Sequence, residues 1–484
     1  MSYAAFAPAF RRAAAVWPPQ RLFPCLFLLL AVPVLVFSAV MVPAGEIPDE
    51  VAHIMRANSL LHGNLVGYRI PRGGGPAMDS GVTANPALIA AGFAFAPGTR
   101  KVLTADRLAQ LRAVPWAPRA AYVAVPNTAV YMPILYAPAA FGLGLGHLAG
   151  LQPYDAIVAA RLCNALAFSI LALLALSLAR GGRGVLFAVL LLPMTLSLAA
   201  SCNQDGLLIA TAALSAALLS RSGRGAWWAG AAALGVVLAV KPLYLPLAGL
   251  VGLAAPRRLR YAVRAAGMAV AAVPALVWYG VAQAYAVVPF VRGAPYTAGP
   301  LWPGTPGQMF AAVDPAQQIK VFLHDPLLLL RLPFEALRDT YELHGYGVVG
   351  VLGTLDILLP PWLYALWYFA LAASAAGMLL ARRGDAPGWG ASACAAGLAC
   401  VAAALFTLFD GQYLSWTPIG AAAVEGIQGR YAIPLLPFFG LVLPRLQSAG
   451  TTALQGLLQV PAVVAAGAGL AAVPALLTWT YYLR

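Results

Sequence analysis

Apolar runs follow one another along nearly the whole of this chain, from residues 22–43 to residues 457–480, and short arginine clusters separate them. A helix needs about 20 apolar residues to cross the hydrocarbon core of a bilayer, so the runs read as membrane spans. Arg180/Arg183, Arg221/Arg224, Arg257/Arg258/Arg260 and Arg382/Arg383 sit in the gaps, as cytoplasmic anchors do under the positive-inside rule. Composition agrees: 61% of residues are hydrophobic and 10% charged, against about 25% charged in a soluble domain. The reading is an all-α, polytopic membrane helix bundle of about 11 spans, one integral membrane domain over residues 1–484. The net charge of +14 is dispersed among these anchors, which argues against a nucleic-acid partner.

Arg11, Arg12 and Arg21 precede the first run, which is expected to be an uncleaved anchor with its N-terminus inside. The five cysteines lie within or at the ends of apolar segments and show no metal-ligand spacing, so core thiols are expected and no disulfide framework. With the arginine clusters inside, three regions fall outside: 44–155, 289–360 and 410–430. Residues 131–150, with Tyr131, Pro133, Tyr136, Pro138 and His147, are kept on the outer face as an interfacial or re-entrant segment. Every Asp and Glu except Asp385 then lands outside, although acids contribute little to orientation. The glycine tract Gly73-Gly74-Gly75 belongs to the first outer region and Trp302 to the second.

Glu46-Ile47-Pro48-Asp49-Glu50-Val51-Ala52-His53-Ile54-Met55-Arg56 follows the first span. Pro48 suits the first helical position, which puts Asp49 and Glu50 in the first turn and Asp49, His53 and Arg56 on one face. This is either a catalytic edge at a membrane surface or two acids stabilising a helix N-terminus. His53 is a candidate for metal binding, for proton relay, or simply for a hydrogen bond to an acid, and no second metal ligand stands at a fixed spacing from it.

Lys241 interrupts an apolar stretch at an outer turn, against the cytoplasmic bias for basic residues, and Arg430 stands at the mouth of a span. Together they offer fixed positive charge for an anionic headgroup such as a phosphate, with Arg161 a weaker candidate of the same kind. Snorkelling and headgroup anchoring are the plainer readings. Gln428 and Tyr431 are placed to orient a sugar or headgroup, and Asp205 either terminates a span or acts as a second acid. No phosphate-cradling glycine loop and no serine elbow is present. The sequence requires no metal or other cofactor, though neighbouring acids are compatible with a divalent ion.

Pro48-Asp49-Glu50-x-x-His53, Tyr131 to Pro138, Asn203-Gln204-Asp205, Lys241-Pro242-Leu243-Tyr244, Trp416-Thr417-Pro418 and Gln428-Gly429-Arg430-Tyr431 together resemble domain-of-unknown-function family 2142 of bacterial membrane proteins, over nearly the whole chain. That family is similar in layout to the GT-C glycosyltransferases. The resemblance implies catalytic acids at Asp49, with Glu50, and at Asp205; the residues themselves add His53 to these and offer donor-phosphate contacts from Lys241, Arg430 and Arg161. It implies sugar or acceptor contacts from Asn203, Gln204, Tyr131, Tyr244, Gln428 and Tyr431. It further implies a sugar donor on a polyprenyl phosphate or pyrophosphate and a polysaccharide, glycolipid or protein acceptor. The site would face outward from a bacterial cytoplasmic membrane and work by inverting transfer. A transporter or flippase of lipid-linked sugars is the alternative from another class, and a structural subunit of an envelope-polysaccharide assembly a third.

Overall fold

The computed structural model describes residues 19–71, 78–96, 99–291, 312–380, 389–445 and 452–484. Arg11, Arg12, Gly73, Gly74, Gly75, Trp302, Arg382, Arg383 and Asp385 lie outside the described residues.

The chain is mostly helical, and six helices are long and apolar enough to cross a membrane: Leu22–Met41, Pro153–Leu178, Tyr261–Tyr285, Pro361–Leu379, Ala391–Trp416 and Leu454–Leu483. The protein is a multi-pass membrane protein. Shorter apolar helices, Asp205–Leu219, Arg224–Val240, Pro242–Leu253 and Gly429–Val442, fill the spaces between them. In chain order the elements that matter below are α1 (Pro19–Met41), α2 (Glu50–Leu61), α3 (Ala137–Leu148), α4 (Pro153–Leu178), α5 (Arg183–Leu190), α6 (Pro193–Ala199), α7 (Asp205–Leu219), α8 (Arg224–Val240), α9 (Ala248–Leu253) and α10 (Tyr261–Tyr285). They continue with α11 (Pro315–His324), α12 (Leu328–Asp339), α13 (Tyr341–Val349), α14 (Pro361–Leu379), α15 (Ala391–Trp416), α16 (Leu436–Val442) and α17 (Val460–Thr478).

Prolines break three of the expected spans. Residues 184–202 form α5 and α6 rather than one helix, because Pro193 has no N–H to give and holds Leu192 extended, at φ −53° and ψ 136°. Pro242 and Pro246 turn the start of the 242–256 run into a 3-10 segment, Pro242–Leu247, before α9. Gly429–Leu435 does the same before α16. Broken backbone at membrane depth is tolerated where protein surrounds it, and Ile433, Pro434 and Leu435 are all buried. The last helix before the 410–430 region also runs further than expected, to Trp416, so Asp410 and Gln412 are helical rather than in a loop.

α3 has 12 residues, about 18 Å of helix, too short to span. It packs antiparallel against α4 through Gly142 and Gly146, where an added Cβ would lie 2.5 Å from Ala160 Cα and 3.0 Å from Ala156 Cα. Small residues thus let the two backbones meet and leave Phe141, Leu145 and Leu148 exposed on the other side.

The 44–155 region also holds an antiparallel sheet of order β1-β2-β3, formed by Tyr68–Pro71, Met78–Ala84 and Ala121–Ala124, in register Tyr68↔Gly81 and Gly81↔Ala124. Arg69 on β1 donates to the carbonyls of Ala284 and Val287, which ties the sheet to the C-terminal end of α10. Phe290–Val291 (β4) pairs with Ala312–Val313 (β5), and Val351–Leu352 (β6) with Ile357–Leu358 (β7) in a hairpin between α13 and α14.

Candidate functional site

The expected helix start is off by two residues. α2 begins at Glu50, and Asp49 is its N-cap in the left-handed region, φ 61° and ψ 8°. Asp tolerates that conformation better than most side chains, yet its carboxylate makes no capping bond. Freed from the helix, the carboxylate is 44% exposed and accepts a hydrogen bond from Arg430 Nη2 at 2.7 Å. Arg430 itself is buried. Its position follows from Gly429, where any Cβ would come within 2.1 Å of the His344 carbonyl oxygen, so the 3-10 segment can press against α13.

A second ion pair stands beside the first. Lys241 occupies the break between α8 and Pro242–Leu247, and its Nζ lies 2.9 Å from Asp205 Oδ1 at the start of α7. A carboxylate in the first turn also suits the α7 macrodipole. Tyr431 serves both cations: Lys241 Nζ lies 4.5 Å and Arg430 Cζ 5.2 Å from its ring centroid. Tyr244 OH donates to the Tyr431 carbonyl at 2.7 Å and fixes that backbone. Two acids and two bases make the cluster neutral as a unit.

His53, one turn into α2, lies under Tyr131, with ring centroids 6.2 Å apart and planes 2° apart, and its Nδ1 is 2.6 Å from Tyr136 OH. Burial pulls the imidazole down to about 4, against the opposing pull of Asp205 and Asp49, so it is neutral at pH 7.

A cavity of about 670 Å³ opens on these groups. Asp49, His53, Tyr131, Lys241, Gln428, Arg430 and Tyr431 line its polar end, and Leu243, Trp278, Ile319, Leu343, Leu355 and Leu408 supply apolar wall. Asp49, His53, Lys241 and Arg430, singled out in the sequence at positions up to 381 residues apart, therefore face one space.

Several other expectations are corrected. Glu50 is not available for proton transfer: it binds Arg161 through Nε–Oε1 at 2.7 Å and Nη2–Oε2 at 2.5 Å and accepts from the Gly45 and Cys202 amides. Arg161 is likewise not a phosphate ligand, since its remaining donors go to the carbonyls of Ala39, Val42 and Pro43. Arg56 does not share an open face with His53; it is fully buried and ties α2 to the carbonyls of Asn64, Leu65 and Tyr131. Asn203 is a brace rather than a sugar ligand, donating to the Pro48 carbonyl at 3.2 Å and accepting from the Asp205 amide at 2.8 Å. Gln204 and Tyr244 are fully buried and do not line the cavity, and neither does Asp205, whose carboxylate is engaged by Lys241.

The sequence reading missed Trp278, Gln283 and the β6–β7 hairpin tip, Thr354 and Leu355, all of which line the cavity. A Trp near the end of a span reads as an interfacial belt residue; only its bond from Nε1 to the Val130 carbonyl, 2.9 Å, shows that it faces inward. Among the described residues no group of three or more His, Cys, Asp or Glu could hold a metal ion.

A family model described as "Predicted membrane protein (DUF2142)" matches residues 32–439, and the chain belongs to that family. No curated protein and no solved structure matches it.

Proposed function

We propose that this member of the DUF2142 family is an integral membrane glycosyltransferase that takes its sugar from a polyprenyl-phosphate or polyprenyl-pyrophosphate carrier. The observation that carries the reading is one exposed carboxylate, Asp49, beside two fixed cations at the polar end of an otherwise largely apolar cavity. The site works at the outer face of a bacterial cytoplasmic membrane, on an acceptor of the cell envelope.

In this reading the prenyl chain lies along the apolar wall, where the surroundings are as hydrocarbon-like as the bilayer. Lys241 and Arg430 take the phosphate. Arg430 lines the cavity beside Asp49, and its guanidinium donates to a phosphate oxygen there. Asp49 receives the proton of the acceptor hydroxyl as that oxygen bonds to the anomeric carbon. The bond from the same carbon to the phosphate oxygen breaks on the opposite side, its electron pair leaves with the phosphate, and the configuration inverts. General-base assistance of this kind is worth about 10² to 10⁴ in rate, and the oriented cations stabilise charge that grows on the leaving group.

The test is transfer by the full chain in lipid nanodiscs, with a panel of prenyl-phosphate and prenyl-pyrophosphate sugars and release of the free carrier as the readout. Asp49→Asn should cut turnover at least about 100-fold while leaving the melting transition in place. Full turnover by Asp49→Asn would overturn the assignment. Movement of an unaltered lipid-linked sugar across proteoliposomes would replace it with a flippase.

A further inference from the structure

Tyr136 is completely buried, and its hydroxyl has one hydrogen-bond partner among the described residues, Nδ1 of His53 at 2.6 Å. A phenol carries a single O–H and a neutral imidazole a single N–H. If the ring proton sat on Nδ1 and pointed at the phenol oxygen, the buried Tyr136 hydrogen would be left without an acceptor among the described residues, an arrangement native interiors avoid. The satisfied arrangement has Tyr136 donating to Nδ1, which leaves the imidazole hydrogen on Nε2. His53 lines the cavity whereas Tyr136 does not, and Nε2 lies across the ring from the nitrogen that Tyr136 holds. Nδ1 is the one ring nitrogen of His53 with a hydrogen-bond partner among the described residues. The Tyr131 ring lies parallel to the imidazole, with centroids 6.2 Å apart.

We infer that His53 is locked as the Nε2–H tautomer and that this N–H, together with the Asp49 carboxylate one helical turn away, forms the subsite for the acceptor hydroxyl. The ligand chemistry follows from the pair. A hydroxyl both donates and accepts, so it satisfies Asp49 with its hydrogen and His53 with a lone pair at once. An anion between these two groups would meet the Asp49 carboxylate with one neutral N–H to offset it, whereas at the cations it meets Arg430 and Lys241 together. That the hydroxyl belongs to an acceptor rests on the transfer reading above; the tautomer does not.

Two measurements separate these claims. In histidine-labelled full-length protein in nanodiscs, the nitrogen spectrum, assigned by the signal lost in His53→Gln, should show a bare Nδ1 and a protonated Nε2. Tyr136→Phe should let the two tautomers mix. In the transfer assay, His53→Asn, whose amide reaches only the Nδ1 position, should raise the acceptor KM on the order of tenfold, as loss of one hydrogen bond does, with kcat little changed. His53→Gln, whose amide reaches the Nε2 position, should recover most of that loss. An Nδ1–H signal, or equal losses in His53→Asn and His53→Gln, overturns the inference while leaving the Asp49 assignment standing. An Nε2–H signal in a protein that transfers nothing overturns the glycosyltransferase reading and with it the hydroxyl, while the tautomer remains.

Discussion

The two carboxylates that begin the first acidic motif are adjacent in sequence and opposite in fate. Glu50 enters the helix and is sealed against Arg161, both side chains being 1% exposed or less, whereas Asp49 stops short of the helix and is 44% exposed. Removing one member of a buried, fully bonded pair strands the other charge, so Glu50→Gln and Arg161→Met should each lose about 3 to 5 kcal/mol of stability. The double variant Glu50→Leu/Arg161→Met should lose less than either single change, which denaturation of the purified protein in detergent can measure. Asp49→Asn should lose less than Glu50→Gln or Arg161→Met, because the Asp49 carboxylate is 44% exposed and the amide oxygen of Asn can still accept from the buried Arg430. His53 makes a separate prediction in pH. Its folded value is about 4 against an ordinary 6.5, so between those values the unfolded chain binds the extra proton. Stability from this group is whole above pH 6.5 and lost as the pH falls toward 4, by up to about 3 kcal/mol. His344, lowered to about 4 by burial, acts with the same sign. Melting curves from pH 7 to pH 4 should therefore flatten in His53→Gln without becoming level.

At the scale of elements, the site is built where helices are interrupted. Lys241 and Arg430 both stand at the head of a proline-containing 3-10 segment, and Asp49 stands at a helix start that its own φ of 61° defines. Interruptions of this kind turn side chains out of the helical register and into a shared space. They also depend on glycine at close contacts. Gly429→Ala would place a methyl group 2.1 Å from the His344 carbonyl and 2.8 Å from the Val348 amide, and should cost about 1 to 3 kcal/mol or more. Gly467→Ala, in the interior of α17 with nothing within 4 Å, should stabilise by up to about 1 kcal/mol. Paired thermal melts of the two variants compare the effects directly, and equal shifts would show that α13 does not press on the 429–435 segment.

Across the whole molecule, one lysine joins three distant parts of the chain near the cavity rim. Lys101 Nζ lies 2.7 Å from Glu46 Oε2, 2.7 Å from Asp356 Oδ2 and 2.6 Å from Thr354 Oγ1, and Glu46 in turn accepts from Tyr481 at 3.4 Å. Burial raises the Glu46 carboxyl against the pull of Lys101. The β6–β7 tip is strained, with Leu355 at φ 69°, and Leu355 lines the cavity. Lys101→Met should release the tip, read as faster amide exchange confined to residues near 351–358 with the bundle helices unchanged. Exchange no faster than in the parent would mean that the hairpin holds its place without the lysine.

That the chain is a helical, multi-pass membrane protein was legible in the amino-acid order because it follows from local physics: apolar length and the rarity of charge mark a span, while the prolines that break three of the expected spans act through the backbone. The ionisable residues that face one cavity, Asp49, His53, Lys241 and Arg430, were legible for a related reason, since ionisable groups beside apolar runs are costly and stand out. Which of them remain free was a different matter. Glu50 and Asp49, or Arg161 and Arg430, cannot be told apart by type or spacing; only packing decides that one pair is saturated by carbonyls and amides while the other meets open space. The same holds for Trp278 and Leu355, whose place at the cavity depends on how α10 and the β6–β7 hairpin dock. Hydropathy is a property of each segment, whereas a cavity belongs to the surfaces that several segments leave uncovered.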